Sequence, residues 1–252
     1  MGGYANFLKR MNAGGITLRE EQIENAQRHL QQTFADDPSY QVNGCPVWYS
    51  ERILHPRIYD YTWKSTLPAQ ASFQTELNEP IYLGDVLHWN EENGYWMCIG
   101  VTNLHGINWE GTLQFCNFWL KFRSPITGEI RRYPISMYNA TQYGTGEDAK
   151  TRMTIGSSAH IIYLTCDEHT MYLDNGCRFL IDKNLKVPTA YKLTQMDTSS
   201  YAAGQDKGFL RMYVLEDQYN PKTDDAENML ADAWEDKIGT GTELKDDNDS
   251  WL

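Results

Sequence analysis

The chain has 252 residues, enough for one large β domain or two small ones, and carries a net charge of −12 from 34 acidic and 22 basic residues. Its N-terminus lacks a basic region followed by an apolar one, and no apolar run approaches the roughly 18 to 20 residues of a membrane span, so neither a secretory leader nor a transmembrane helix is expected. The cysteines Cys45, Cys98, Cys116, Cys166 and Cys177 are odd in number, widely spaced and without a Cys-x-x-Cys pair, which predicts reduced thiols in a cytoplasmic setting rather than a disulfide framework.

The spacing predicts one helix, starting at an N-cap Thr17 with Glu20 three residues on, as in a capping box. Ile23, Ala26, Leu30 and Phe34 follow on one face, and Asp36-Asp37-Pro38 closes the pattern. From Tyr40 the residues turn aromatic and β-branched, punctuated by Gly, Asn and Pro. Strands are expected at 46–49, 58–63, 81–89, 95–101, 112–122, 129–137, 159–165, 170–173, 178–181, 191–196 and 209–215. The segments beginning Leu83-Gly84-Asp85 and Leu173-Asp174-Asn175-Gly176 resemble each other loosely, as two consecutive barrels would require. The expected class is therefore mainly β: one or two small β-barrel or sandwich domains, an N-terminal amphipathic helix and an extended acidic C-terminal arm. The expected divisions are 1–44 (arm and helix), 45–142 (first barrel), 143–218 (second β region, entered through Gly144-Thr145-Gly146) and 219–252 (acidic tail). Charge follows this division. Residues 216–252 hold twelve acidic groups against three lysines, a net −9 that leaves −3 for the rest. The tail reads first as a solvated, partly disordered segment, with an arm that docks on a partner as the alternative, to which Trp234, Trp251 and Leu252 lend some weight.

Motifs with chemistry are sparse. His160, Cys166, His169 and Cys177 fall within 18 residues, but a hairpin turning at 166–169 sets His160 at the far end of its strand, beyond the reach of a shared zinc ion. Gly144 to Thr151 imitates a phosphate loop, yet Ala149 stands where a glycine must precede Lys150, so a linker is expected. No Cys or His sits in a nucleophile signature, and the pairs Glu91-Glu92 and Asp167-Glu168 fall in turns. No catalytic, cofactor or metal residue is assigned. The richest constellation is Trp89, Trp96, Trp109, Phe115, Phe118, Trp119, Phe122 and Tyr133 beside Lys121, Arg123, Arg131 and Arg132. Aromatics with basic neighbours on a small barrel stack bases or sugars, whereas period-2 alternation sends many of them into the core. An acidic chain is a poor start for gripping DNA, but a near-neutral or acidic wall suits a passage through which DNA slides.

The pairing of Leu83-Gly84-Asp85-Val86-Leu87-His88-Trp89 with Tyr95-Trp96-Met97-Cys98-Ile99, the segment Gly111 to Phe122, and Val187-Pro188-Thr189-Ala190-Tyr191-Lys192-Leu193-Thr194 resemble virion structural proteins of tailed phages of Gram-positive hosts, of the head-closure or head-tail connector kind. The resemblance spans residues 60 to 216 and implies a small β-barrel protein without catalytic residues. It further implies a homo-oligomeric ring (6- or 12-fold) beneath the portal or a neighbouring connector protein, retaining DNA that passes without specific binding and docking a tail protein, in a virion assembled in host cytoplasm. Tail tube, tail terminator or baseplate is the alternative within the virion. A carbohydrate- or single-stranded-nucleic-acid-binding module using the Trp-rich sheet is the alternative outside it. The residues expected at assembly contacts are Ile23, Leu30 and Phe34 on the helix face, the loop residues His105 and Trp109, and Trp234 in the tail.

Overall fold

The structure, a computed structural model, describes residues 18–64, 67–139, 159–181, 188–198 and 208–232. The expected cap Thr17, the glycine-rich stretch at 143–147, the phosphate-loop mimic and Trp234, Trp251 and Leu252 lie outside these residues. The expected helix is α1 (Leu18–Thr33), continued by a 3-10 turn at Phe34–Asp36. Strands make up most of the rest: β1 (Cys45–Pro46), β2 (Ile53–Leu54), β3 (Arg57–Lys64), β4 (Leu67–Glu76), β5 (Val86–Trp89), β6 (Gly94–Leu104), β7 (Asn108–Cys116), β8 (Phe118–Arg123), β9 (Ile130–Asn139), β10 (Ala159–Cys166), β11 (Arg178–Ile181), β12 (Thr189–Asp197) and β13 (Gly208–Asp217). The protein is mainly β with an N-terminal helix, as its sequence predicts.

Two antiparallel sheets carry the architecture. One has the order β3-β4-β7-β6-β5, flanked by the β1-β2 pair through a Val47–Leu87 bridge. The other has the order β11-β12-β13-β10-β9-β8, and β11 returns against β8 to nearly close it into a barrel. Aliphatic chains such as Leu120, Ile135, Ile162, Leu164, Leu210 and Met212 fill the six-stranded sheet, while Trp89, Trp96 and Phe73 dominate the five-stranded one. A third cluster of Val86, Met97, Cys116 and Phe209, with Tyr95 and Tyr163 against it, lies where the sheets meet. There Gly84, at φ +80, leaves no room for a Cβ against the Gly208 backbone, and its carbonyl accepts from the Thr165 hydroxyl at 3.0 Å.

The chain passes between sheets earlier than expected. The predicted single strand 112–122 is split at Asn117, whose side-chain amide bonds both backbone groups of Met137 at 2.8 Å and so replaces a ladder step. Strands β8 and β9, assigned by sequence to the first domain, therefore join the second sheet through the β9–β10 ladder, His160 opposite Asn139 and Tyr163 opposite Ser136. The division expected at 142/143 falls inside that sheet.

Three further expectations change. Residues 170–173 form a turn rather than a strand, because the Asp167 carboxylate accepts from the His169 and Thr170 N–H groups, both at 2.9 Å. Strand β4, whose buried face is Ala69, Ala71, Phe73 and Thr75 against half-buried Gln70, Ser72 and Gln74, has too little apolar bulk to have been predicted. Finally, the acidic tail does not begin at 219. Residues 219–232 fold back on β11 and β12, where Met229 is buried with Leu180 and Ala190. The Arg178 guanidinium holds them, donating to Asp217 at 2.8 Å, to Asp224 at 2.8 and 3.0 Å, to Asp232 at 2.7 Å and to the Gln218 carbonyl at 2.7 Å.

Candidate functional site

The turn after β1 drives two rings into the seam between the sheets. The backbone N–H of Trp48 donates to the Val86 carbonyl at 2.8 Å, fixing the turn to β5, and Tyr49 takes a left-handed conformation at φ 53. The Trp48 ring lies 5.2 Å from Tyr95 of β6 and 5.3 Å from Trp119 of β8, and those two lie 4.9 Å from each other in an edge-to-face arrangement. Tyr49 packs on Trp48 at 4.9 Å and Tyr133 at 5.5 Å, and its hydroxyl donates to the Arg132 carbonyl at 3.1 Å. His88 adds its ring 4.8 Å from Tyr95. The Arg132 guanidinium sits 3.7 Å over the Trp119 ring, a cation–π contact at an exposed position.

This seam opens onto the outer face of the β8–β9 hairpin. The pleat buries Leu120 and Phe122 and sends Trp119, Lys121 and Arg123 outward. Cross-strand partners there are Trp119 with Pro134, Lys121 with Arg132, and Arg123 with Ile130. Lys121 donates to the Asn228 carbonyl at 3.0 Å and Arg123 to the Gly128 carbonyl at 2.9 Å, so both are bonded to uncharged groups. Arg131, on the opposite side of the pleat, instead pairs with Glu129 at 2.8 Å.

The sequence-predicted aromatic constellation is thus divided. Trp89 and Trp96 are core rings 5.4 Å apart, Phe115 packs on Trp96 at 5.3 Å, and Phe122 stacks on Tyr133 at 5.6 Å. Phe118 packs on the six-stranded core. Trp109 is half-buried and donates its indole N–H to the Leu77 carbonyl at 3.3 Å. Only Trp119 of the predicted tryptophans reaches the basic face. Trp48 and Tyr49 were missed because turn residues carry no alternation to reveal which strand they will meet, and Tyr95 because its strand was read without the partner ring that the turn supplies.

The proposed assembly residues also separate. Ile23 and Leu30 are half-buried on α1, and Gln27 of the same helix donates to the Gly106 carbonyl at 2.6 Å, bringing α1 to the β6–β7 turn where His105 is exposed at φ 53. Phe34 is not available to a neighbour. It is 1% exposed, lies under the Arg57 guanidinium at 4.3 Å and meets the Tyr40 ring edge-on, so it staples the helix to β3. Two large exposed rings went unanticipated, Tyr61 and Trp63 of β3, at 47% and 69% exposure. The backbone of β3 turns left-handed at Asp60 and shifts register twice against β4, which breaks the alternation.

The histidines and cysteines of the zinc candidate do not converge. His160 packs against Tyr191, whereas His169 is buried with Nδ1 3.0 Å from the Ser124 hydroxyl, and no group of three or more ligands is arranged to hold a metal among the described residues. Ser124 is buried, and its oxygen accepts the Ile126 and Thr127 N–H groups at 3.3 Å as a turn cap. Burial pushes the thiols of Cys98, Cys116 and Cys166 up, and burial with Glu91 nearby pushes Cys45 up to about 12, so these thiols stay protonated.

No family model matches the chain, and no curated protein does. Among solved structures, MrkH, described as a novel c-di-GMP dependence transcription regulatory factor, aligns over 79% of this chain and 85% of its own at 7% identity and a TM-score of 0.23, too low to bear on fold or function. Among the described residues no helix is long and apolar enough to cross a membrane.

Proposed function

We propose that this chain is a non-enzymatic structural protein of a tailed-phage virion, a head-tail connector that assembles as a ring below the portal. The resemblance of residues 60 to 216 gives the class. The structural observation that supports it is exposed apolar surface on neighbouring elements: Trp63, with Tyr61 exposed on one side and edge-on to Trp96 at 5.7 Å on the other, on the β3–β4 hairpin, and the half-buried Ile23 and Leu30 on α1. A self-sufficient monomer gains nothing from a 69% exposed tryptophan, whereas a subunit covered by neighbours on assembly does.

Cosedimentation of the purified protein with DNA-filled capsids lacking their connector tests the proposal. Stoichiometric binding that stops DNA leakage is expected, and Trp63→Ser abolishes it while leaving the monomer's melting temperature unchanged. Binding to tails and not to capsids assigns the protein to the tail tube, terminator or baseplate instead.

A further inference from the structure

The outer face of β8–β9 gathers three cations, each held by an uncharged group: Lys121 on the Asn228 carbonyl, Arg123 on the Gly128 carbonyl and Arg132 over the Trp119 ring. Lys121 and Arg132 are direct cross-strand partners, and like charges placed opposite one another destabilise a sheet. Arg123 follows two residues along on the same face, opposite the 53% exposed Ile130. In a chain with 34 acidic residues, none of these three cations has a carboxylate ion-pair partner among the described residues. Asp225 senses Lys121 but forms no ion pair with it. Beside the cations, the Arg132 guanidinium lies over the Trp119 ring at 3.7 Å, and Tyr49 is 62% exposed.

We infer that the outer face of β8–β9 is a binding site for single-stranded nucleic acid, with Lys121, Arg123 and Arg132 on phosphates and the Arg132–Trp119 stack and Tyr49 as platforms for bases. Successive outward residues on a strand recur about every 6.8 Å, so Lys121 and Arg123 follow one another along β8 with Arg132 of β9 beside Lys121. Planar arginine and tyrosine surfaces beside such cations are what base stacking uses, and an acidic peptide or a membrane surface would not exploit them. The site is independent of the connector reading, since it requires neither a ring nor a capsid.

The test is fluorescence anisotropy of a labelled oligothymidylate of about 20 nucleotides with the full chain at about 20 mM salt. Saturable binding is expected, with log K falling against log salt at a slope of about −2, as three phosphate contacts on a single strand require. Arg123→Glu with Arg132→Glu weakens it at least about tenfold, while the charge-matched pair Arg19→Glu with Lys192→Glu, on exposed positions of α1 and β12, changes it less than about twofold. Trp119→Phe weakens binding without altering the salt slope, which separates stacking from charge. Equal losses in the two charge-reversal pairs, or no binding by the folded wild type, overturn the inference. Binding of heparin without the oligonucleotide also overturns it, in favour of a sulfated polysaccharide.

Discussion

The two sheets reach stability by different means. The five-stranded half centres on two tryptophans, Trp89 and Trp96, with Phe73 beside them and Trp109 and Phe115 around them, and it borrows Cys45 and Leu54 from the short β1–β2 pair and Val47 from the turn between them. The six-stranded half sets Phe122, Tyr133, Phe179 and Tyr191 among aliphatic chains, has no tryptophan in its core, and is closed on its outer side by an ionic clasp, Arg178 against Asp217, Asp224 and Asp232. A tryptophan-centred core concentrates its energy in a few large side chains, whereas a clasp makes one edge of the other half answer to pH. The difference teaches that the same antiparallel architecture carries two distinct weak points.

The largest expected effect comes from the tryptophan-centred half. Trp96 is 1% exposed, and Trp96→Ala should cost about 3 to 5 kcal/mol, read as a shift of the denaturant midpoint at unchanged slope. If Leu164→Ala in the six-stranded half, whose core has no tryptophan, costs as much or more, the asymmetry between the two cores is wrong. Arg178→Ala comes next, at about 3 kcal/mol, because the fully buried carboxylate of Asp224 loses its partner. Hydrogen exchange should show residues 219–232 losing protection before either sheet does.

The clasp also fixes the sign of a pH effect. Hydrogen bonding from Arg178 holds the Asp217 carboxyl below its ordinary value. Burial pushes Asp224 up, but Arg178 and the N–H groups of Asn220 and Asp232 outweigh it and hold this carboxyl low as well. Groups with depressed folded-state values contribute stability above their unfolded pKa and lose it as pH falls through the folded value. Residues 219–232 should therefore loosen below about pH 4 while the five-stranded half persists, and Arg178→Ala should remove that step from the acid titration. A simultaneous loss of both halves would show that the clasp does not set the acid limit.

How much of this was legible in sequence follows the same division. The alternation of Ile162, Leu164, Leu210, Met212 and Val214 announces β10 and β13 plainly, and α1 is readable from Ile23, Ala26 and Leu30. What sequence reasoning missed depends on side chains acting for the backbone or meeting across long separations. Asn117 substitutes for a ladder residue, Asp60 turns β3 left-handed, and Trp48 meets Trp119 across 71 positions through a turn with no periodic signature. The clasp was invisible for another reason. Twelve acids against three lysines look like a solvated tail until Arg178, some 40 residues earlier, is known to lie beneath them. Of the candidate site, the basic residues and Trp119 were named from sequence, but not the face they share, which follows from the β8–β9 register.

The smallest effect sharpens the comparison where the two halves touch. The Tyr133 ring belongs to the six-stranded core yet meets Tyr49 from the β1–β2 turn, and its hydroxyl donates to the Asp167 carboxylate. Burial, then the hydrogen bond to Asp167 and its charge, raise the phenol well above its ordinary value, so this proton stays in place through the alkaline range. Tyr133→Phe keeps the stacked contact with Phe122 and removes only the donor. Asp167 still accepts from the His169 and Thr170 N–H groups, so no carboxylate is left stranded, and the cost should be about 1 kcal/mol. Trp48→Ala, by contrast, opens the seam itself and should cost about 2 kcal/mol or more, because Tyr95 and Trp119 both lose a ring neighbour. In a double-mutant cycle Trp48→Ala and Tyr133→Ala, which removes the ring itself, should couple by more than about 0.5 kcal/mol through Tyr49, whose ring touches both residues. Strict additivity would mean that the β1–β2 turn rests on the six-stranded sheet without supporting it, and that the rings of the seam are held from the five-stranded side alone.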